Sequence, residues 1–121
     1  MQPVVVVRPT SSMRVVVRRM LLARAAAAAV VPCVGQIGGL ITPEELRHRE
    51  RSIPLAPGTM AKAGDVMRSD VVVAAQDEQL VTLCDRLALH NATCAVVVDR
   101  QRPVGTVRRL TLLNPDPLNL A

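Results

Sequence analysis

At 121 residues and 13.0 kDa, the chain suffices for one ordinary domain or for two small repeats sharing a core, and is too short for two independent enzymatic domains. Half of its residues are hydrophobic, 21% are charged, and Phe, Trp and Tyr are all absent, so the core has to be built from 20 Val together with Ala, Leu, Ile and Met. That excludes base stacking on aromatic rings and aromatic cages, contradicts a disordered composition, and leaves no run of about 18 apolar residues to span a bilayer.

The formal charge of +5 is unevenly placed. Residues 1–43 hold Arg8, Arg14, Arg18, Arg19 and Arg24 and no acid, whereas the remainder holds ten basic residues and all ten acids, which cancel. A basic nucleic-acid binder working through Arg14, Arg18 and Arg19 is therefore one alternative reading, and solvated arginines are the plainer one. The acid-free, Arg-rich start also suits a targeting segment, but a Val-rich strand precedes its apolar run and no A-x-A site follows it. Cys33, Cys84 and Cys94 are odd in number and form no C-x-x-C pair, and His48 and His90 stand at no ligand spacing. These counts predict reduced thiols, no metal site, and a cytoplasmic or similarly reducing compartment.

In chain order the sequence predicts a strand at Val4–Val7, a helical stretch over Thr10–Ala28, a strand at Val30–Val34, a turn over Gly35–Gly39, a short strand at Leu40–Ile41 and a helix over Thr42–Arg51. Thr10, Ser11 and Ser12 are N-cap candidates for the first helix. Ser52–Gly64, with Pro54, Pro57, Gly58 and Gly64, reads as a linker. The same order then recurs: a strand at Val71–Ala74, a helix over Glu78–His90, a strand at Ala95–Val98, a turn over Asp99–Pro103, a strand at Val104–Val107 and a helix or turn over Arg108–Asn114. In the second helix Leu80, Leu83, Cys84 and Leu87 share one face, and in the first Met13, Val16, Val17, Met20 and Leu21 do. The fold class expected is α+β, in two repeats each built from a small sheet and helices. The division is 1–51 first repeat, 52–64 linker, 65–113 second repeat and 114–121 tail.

Asp65-Val66-Met67, the helix beginning at Leu80, the run Val96-Val97-Val98-Asp99 and Val104-Gly105-Thr106-Val107 together resemble a cystathionine-beta-synthase (CBS) domain. The first half resembles a second copy through Val30-Val31-Pro32-Cys33-Val34 and Gly39-Leu40-Ile41-Thr42-Pro43-Glu44-Glu45. Two departures accompany the likeness. Met13 to Pro32 spans 19 residues where Leu80 to Val96 spans 16, an excess assigned to the alanines 25–29. Met1 falls near the position of Met67, so the usual lead-in is missing and the chain is expected to be a piece of a longer protein or to have a misplaced start.

The resemblance implies a pseudo-twofold pair of repeats packed through their sheets, with adenosyl ligands such as AMP, ATP or S-adenosylmethionine in the clefts between them. It also implies a regulatory, non-catalytic role toward an attached or partner enzyme, channel or transporter, and association as a homodimer. A ligand-free packing or dimerisation module of the same fold is the main alternative. The family pattern, Gly-apolar-apolar-Ser/Thr-x-x-Asp, maps onto Gly39, Ile41, Thr42 and Glu45, with Pro32 beside them, and Glu stands in place of Asp. Thr42-Pro43-Glu44-Glu45 equally reads as a capping box with proline at the first helical position, which needs no ligand. In the second copy the same positions hold Gly105, Val107, Arg108 and Thr111, where hydroxyl has become arginine and the carboxylate is gone, so at most a degenerate second site is expected, in which Arg108 and Arg109 could attract a phosphate, with solvated surface arginines the plainer reading. Gly35-Gln36-Ile37-Gly38-Gly39 lacks the G-x-G-x-x-G spacing, and neither a nucleophile motif nor a triad is present. His90, at a helix end, is expected to serve as a cap rather than as an acid or base.

Overall fold

The computed structural model describes residues 1–52 and 61–109, the side chains of 48–52 excepted. The expected linker core at 53–60, Thr111 and the tail at 114–121 lie outside the described residues. Alternating burial sets the first element: Val5 and Val7 are buried and Val6 is exposed along β1 (Val4–Val7). Ser12 then caps α1 (Met13–Ala23), its hydroxyl accepting from the Val15 N–H at 3.3 Å, and Val16 and Met20 point into the core. β2 (Ala27–Val30) runs parallel to β1 and antiparallel to β3 (Gly39–Ile41), and α2 (Pro43–Ser52) follows.

The second half repeats this order after a short helix, α3 (Ala63–Val66): β4 (Val72–Ala75), α4 (Leu80–Leu89), β5 (Cys94–Asp99) and β6 (Arg102–Arg108). Its sheet has the order β4-β5-β6, again one parallel and one antiparallel pair. The fold is α+β, as expected. Val5, Val16, Met20 and Arg24 correspond to Val72, Leu83, Leu87 and Asn91: the first three of each set are buried, and Arg24 and Asn91 both end their helices in the left-handed region at φ 51°.

One strand differs from its expected place. β2 is the alanine run, not Val30–Val34, and the first helix stops at Ala23. Alanine favours helix, but the Arg24 cap and the Ala25 N–H, donating to the Met20 carbonyl at 2.9 Å, terminate α1 there. Tertiary contacts then override propensity, because every residue of β2 is buried and small side chains permit packing on both faces of the strand. The spacing from helix start to strand start is consequently the same in both repeats, Met13 to Ala27 and Leu80 to Cys94, and the alanines contain no insertion. Between the equivalent pairs Val30–Gly39 and Val97–Gly105 the first repeat is longer by a single residue, and its 31–38 segment is a loop where the second repeat continues its ladder to Asp99 and Arg102.

Each sheet has two covered faces. One carries the helices: Val5, Val7, Val16, Met20, Ala28, Val30 and Ile41 form the first cluster, and Val72, Ala74, Leu83, Leu87, Ala92 and Ala95 the second. The other faces meet through Ala27, Leu40, Cys94 and Val96, with Val4, Ile37, Val71 and Val98 at their margin, so the sheets pack against each other across an approximate twofold axis. The repeats also exchange strands. Leu40 in β3 forms two backbone hydrogen bonds with Arg68, at 3.0 and 2.9 Å, and Thr106 in β6 forms two with Gln2, both 2.8 Å. Arg19 and Arg86 brace the outer edges, donating to the carbonyls of Val6 and Val73, and Arg86 also pairs with Glu78 at 2.6 Å. Arg19, a candidate nucleic-acid contact in the sequence, therefore has a structural partner.

The β5–β6 turn places Arg100 and Gln101 at φ 50° and 66°, the conformation of a two-residue hairpin that favours Asn-Gly. Arg100→Asn combined with Gln101→Gly is expected to raise the unfolding free energy by about 1 kcal/mol, read by urea titration.

Candidate ligand-binding site

Where the two sheets meet, a cleft of about 480 Å³ opens between the repeats. Its walls are equivalent segments of the two halves: Ala26-Ala27 entering β2, and Thr93-Cys94 entering β5. Thr42, Pro43, Glu44 and Arg47 contribute from α2, and Thr106, Arg108 and Arg109 from β6 and its end. The β6 register pins the last two, with Arg108 opposite Cys94 and the Arg109 N–H donating to the Thr93 carbonyl at 2.7 Å.

Thr42 is 8% exposed and borders this cleft, and Arg108 lies on the opposing wall. Glu45 turns the other way. Its carboxylate accepts from the Thr42 N–H at 3.0 Å and from the Thr42 hydroxyl, and it faces a much smaller cavity shared with Arg68, Asp70 and Cys94. This is the Glu45 half of the capping box expected as one reading of the motif, the carboxylate reaching back to the N-cap N–H, with Pro43 as the first helical residue. The extra methylene of Glu over Asp gives the carboxylate the reach to fold back on the N-cap.

The other sequence candidates do not border the large cleft. Ile41 is fully buried under α1 in the first helix-side cluster. Gly39 pairs with Val30 in the sheet, and a Cβ there would fall 2.7 Å from Met67 Cγ. Pro32 follows β2 and packs on Gly38. Gly105 passes under Met1 and Gln2, and Val107 pairs with Ala95.

Glu44, Arg47, Thr93 and the Ala26-Ala27 pair were not among the sequence candidates, whereas Arg108 and its neighbour Arg109 were. Glu44 and Arg47 follow Thr42 at a spacing that keeps them near one end of α2, a signal available in the sequence. Thr93-Cys94 and Ala26-Ala27 could be found only once the alanines were known to be strand. Cys94 is buried, and its thiol is pushed up by that burial and by the neighbouring Glu45 carboxylate, with Arg108 opposing. It is held as a neutral thiol on the cleft wall. His90 caps α4, with Nδ1 3.3 Å from Asp70, while Arg68 donates to the carbonyls of His90 and Asn91 at 3.3 and 3.1 Å. Among the described residues no group of three or more His, Cys, Asp or Glu is placed to hold a metal ion, and no helix is long and apolar enough to cross a membrane.

The CBS domain family model matches residues 63–114. No curated protein gives a significant match to the sequence. Among solved structures, the CBS domain of a CBS-domain-containing membrane protein from Sphaerobacter thermophilus is 29% identical, with a TM-score of 0.71 over 93% of this chain and 82% of that one. An uncharacterised conserved protein from Pyrococcus horikoshii superposes with a TM-score of 0.72 at 17% identity, covering 97% of this chain and 87% of that one. The CBS domain pair of protein MJ0100, solved in complex with 5′-methylthioadenosine and S-adenosyl-L-methionine, superposes with a TM-score of 0.71 at 18% identity, covering 95% of this chain and 89% of that one. With its two symmetric strand-helix-strand units joined face to face, the chain has the fold of a CBS domain pair, its second repeat matched by the CBS domain model over residues 63–114 and its first by likeness of structure.

Proposed function

We propose that this pair is a regulatory, non-catalytic module that senses an adenosyl ligand of the AMP, ATP or S-adenosylmethionine kind and controls an attached or partner enzyme, channel or transporter from a cytoplasmic location. The observation that carries the reading is the cleft of about 480 Å³ whose two walls come from different repeats. A ligand seated there touches Ala26-Ala27 and α2 on one side and Thr93-Cys94 and β6 on the other. Its binding energy therefore depends on how the repeats are oriented, and a ligand that favours one orientation shifts the population toward it. Such a shift is the physical content of sensing. The MJ0100 pair, which binds two adenosyl compounds, supports the ligand class.

A ligand-free packing module is the second reading, and the Thr42–Glu45 capping box favours it, because the motif is satisfied without any ligand. Calorimetric titration of the full chain with AMP, ATP and S-adenosylmethionine separates the two. Sensing predicts saturable binding of at least one of them. Ala26→Leu, which fills the cleft from one wall, is expected to abolish that binding while the far-ultraviolet circular dichroism spectrum stays unchanged. Failure of all three compounds to bind establishes the packing reading, and binding that survives Ala26→Leu moves the site out of the cleft.

A further inference from the structure

The cleft has a chemical asymmetry that its near-symmetric walls would not lead one to expect. Three guanidinium groups, Arg47, Arg108 and Arg109, border it against one carboxylate, Glu44. The described residues offer these three arginines neither a side-chain hydrogen bond nor an ion pair within the limits of the salt bridges seen elsewhere in the fold. The second acid of the motif, Glu45, is bound to Thr42 and faces the smaller cavity, so it neutralises none of them. The same bond changes what Thr42 offers. Its hydroxyl proton is turned to Glu45 and not to the cleft. A phosphate entering this space finds its donors on the arginines, chiefly on the wall contributed by the second repeat.

We infer that the cleft selects its ligand by charge, taking an adenosyl compound that carries phosphate and refusing the sulfonium cation of S-adenosylmethionine, with Arg108 and Arg109 as the phosphate pole and Arg47 completing it. The inference rests on the cleft being an adenosyl site and narrows the ligands to one charge class. The substitution that removes the family's hydroxyl from the second repeat thereby relocates the phosphate contact instead of deleting it. Arg108 and Arg109 are suited to the role because backbone pairing to Cys94 and Thr93 fixes where their side chains start, and planar guanidinium groups bind phosphate oxygens two at a time. A sulfonium brought to the same place meets three like charges, and exposed groups feel that repulsion less as salt rises.

The test is titration of the full chain with ATP, AMP, S-adenosylmethionine and 5′-methylthioadenosine at low and moderate salt, with inorganic tripolyphosphate as a probe lacking the nucleoside. ATP is expected to bind at least about tenfold more tightly than S-adenosylmethionine, with the margin narrowing as salt is added. Arg108→Gln is expected to weaken ATP by about tenfold, to leave 5′-methylthioadenosine within about twofold of the parent, and to be only partly rescued by Arg108→Lys, which restores the charge without the two-point contact. Equal binding of ATP and S-adenosylmethionine, or ATP affinity unmoved by Arg108→Gln, overturns the charge selection while leaving the adenosyl reading in place. Tripolyphosphate binding that Arg108→Gln removes, with no nucleoside preference, supports the phosphate pole and overturns the adenosyl reading. Absence of binding by every probe overturns both.

Discussion

Ile41→Ala is expected to lower the unfolding free energy by about 3 kcal/mol, and the melting temperature by about 10 °C, in the absence of any ligand. Ile41 is fully buried among Val5, Val7, Val16, Met20, Ala28 and Val30, small or medium side chains with little freedom to collapse into the space it leaves. The transfer and cavity costs therefore both apply. Because the core has no aromatic residue, no single large side chain elsewhere offsets the loss, and about 3 kcal/mol is a sizeable share of the roughly 5–15 kcal/mol that holds an ordinary domain together. Urea titration with circular dichroism reads the effect. A loss below about 1 kcal/mol would show that Ile41 faces the cleft, as its place in the motif suggests from sequence alone, and not the helix side of β3.

The contrast at Ile41 illustrates what the sequence could and could not tell. Strand period two was readable: Val5 and Val7 on one side and Val4 on the other follow from alternation, as do the buried positions Leu83 and Leu87 of α4 from helical spacing. Repetition was readable because it depends on order, which survives the loss of individual residues. The alanine run was not. Its local preference is helical, and only the sheet-to-sheet contact at Ala27 and the close packing of Ala28 under α1 make it a strand, so the decisive information is spread over residues far away in sequence. The same displacement hid half of the cleft wall. Within the motif, spacing named Thr42 correctly as a residue bordering the cleft, but it left the capping box and the ligand contact as equal readings of Glu45 and did not single out Glu44 and Arg47 as the side chains at the open space. The choice between the two readings depends on side-chain reach, a matter of one methylene.

Gly39→Ala is expected to cost about 2 kcal/mol, for a reason tied to strand exchange and not to ligand. A Cβ at Gly39 would lie 2.7 Å from Met67 Cγ and 2.8 Å from Met67 Cβ, too close for either to stay, and Met67 is held there by the two hydrogen bonds between Leu40 and Arg68. Shortening the methionine removes part of the obstruction, so Gly39→Ala together with Met67→Ala should be destabilised by about 1 kcal/mol less than the sum of the single changes. Gly105 stands in the equivalent place under Met1, but there the backbone oxygen of Gln2 is 2.8 Å from the added Cβ, and that oxygen accepts one of the two hydrogen bonds from β6. Gly105→Ala must therefore displace main chain, and no trimming of a neighbouring side chain can relieve it. If denaturant titration shows additive costs at Gly39 and Met67, the methionine does not bear on the glycine, and the reciprocal exchange loses its steric basis. Coupling at Gly39 with none to be gained at Gly105 would show that both glycines are set by the chain crossing over them, one against a side chain and the other against a backbone.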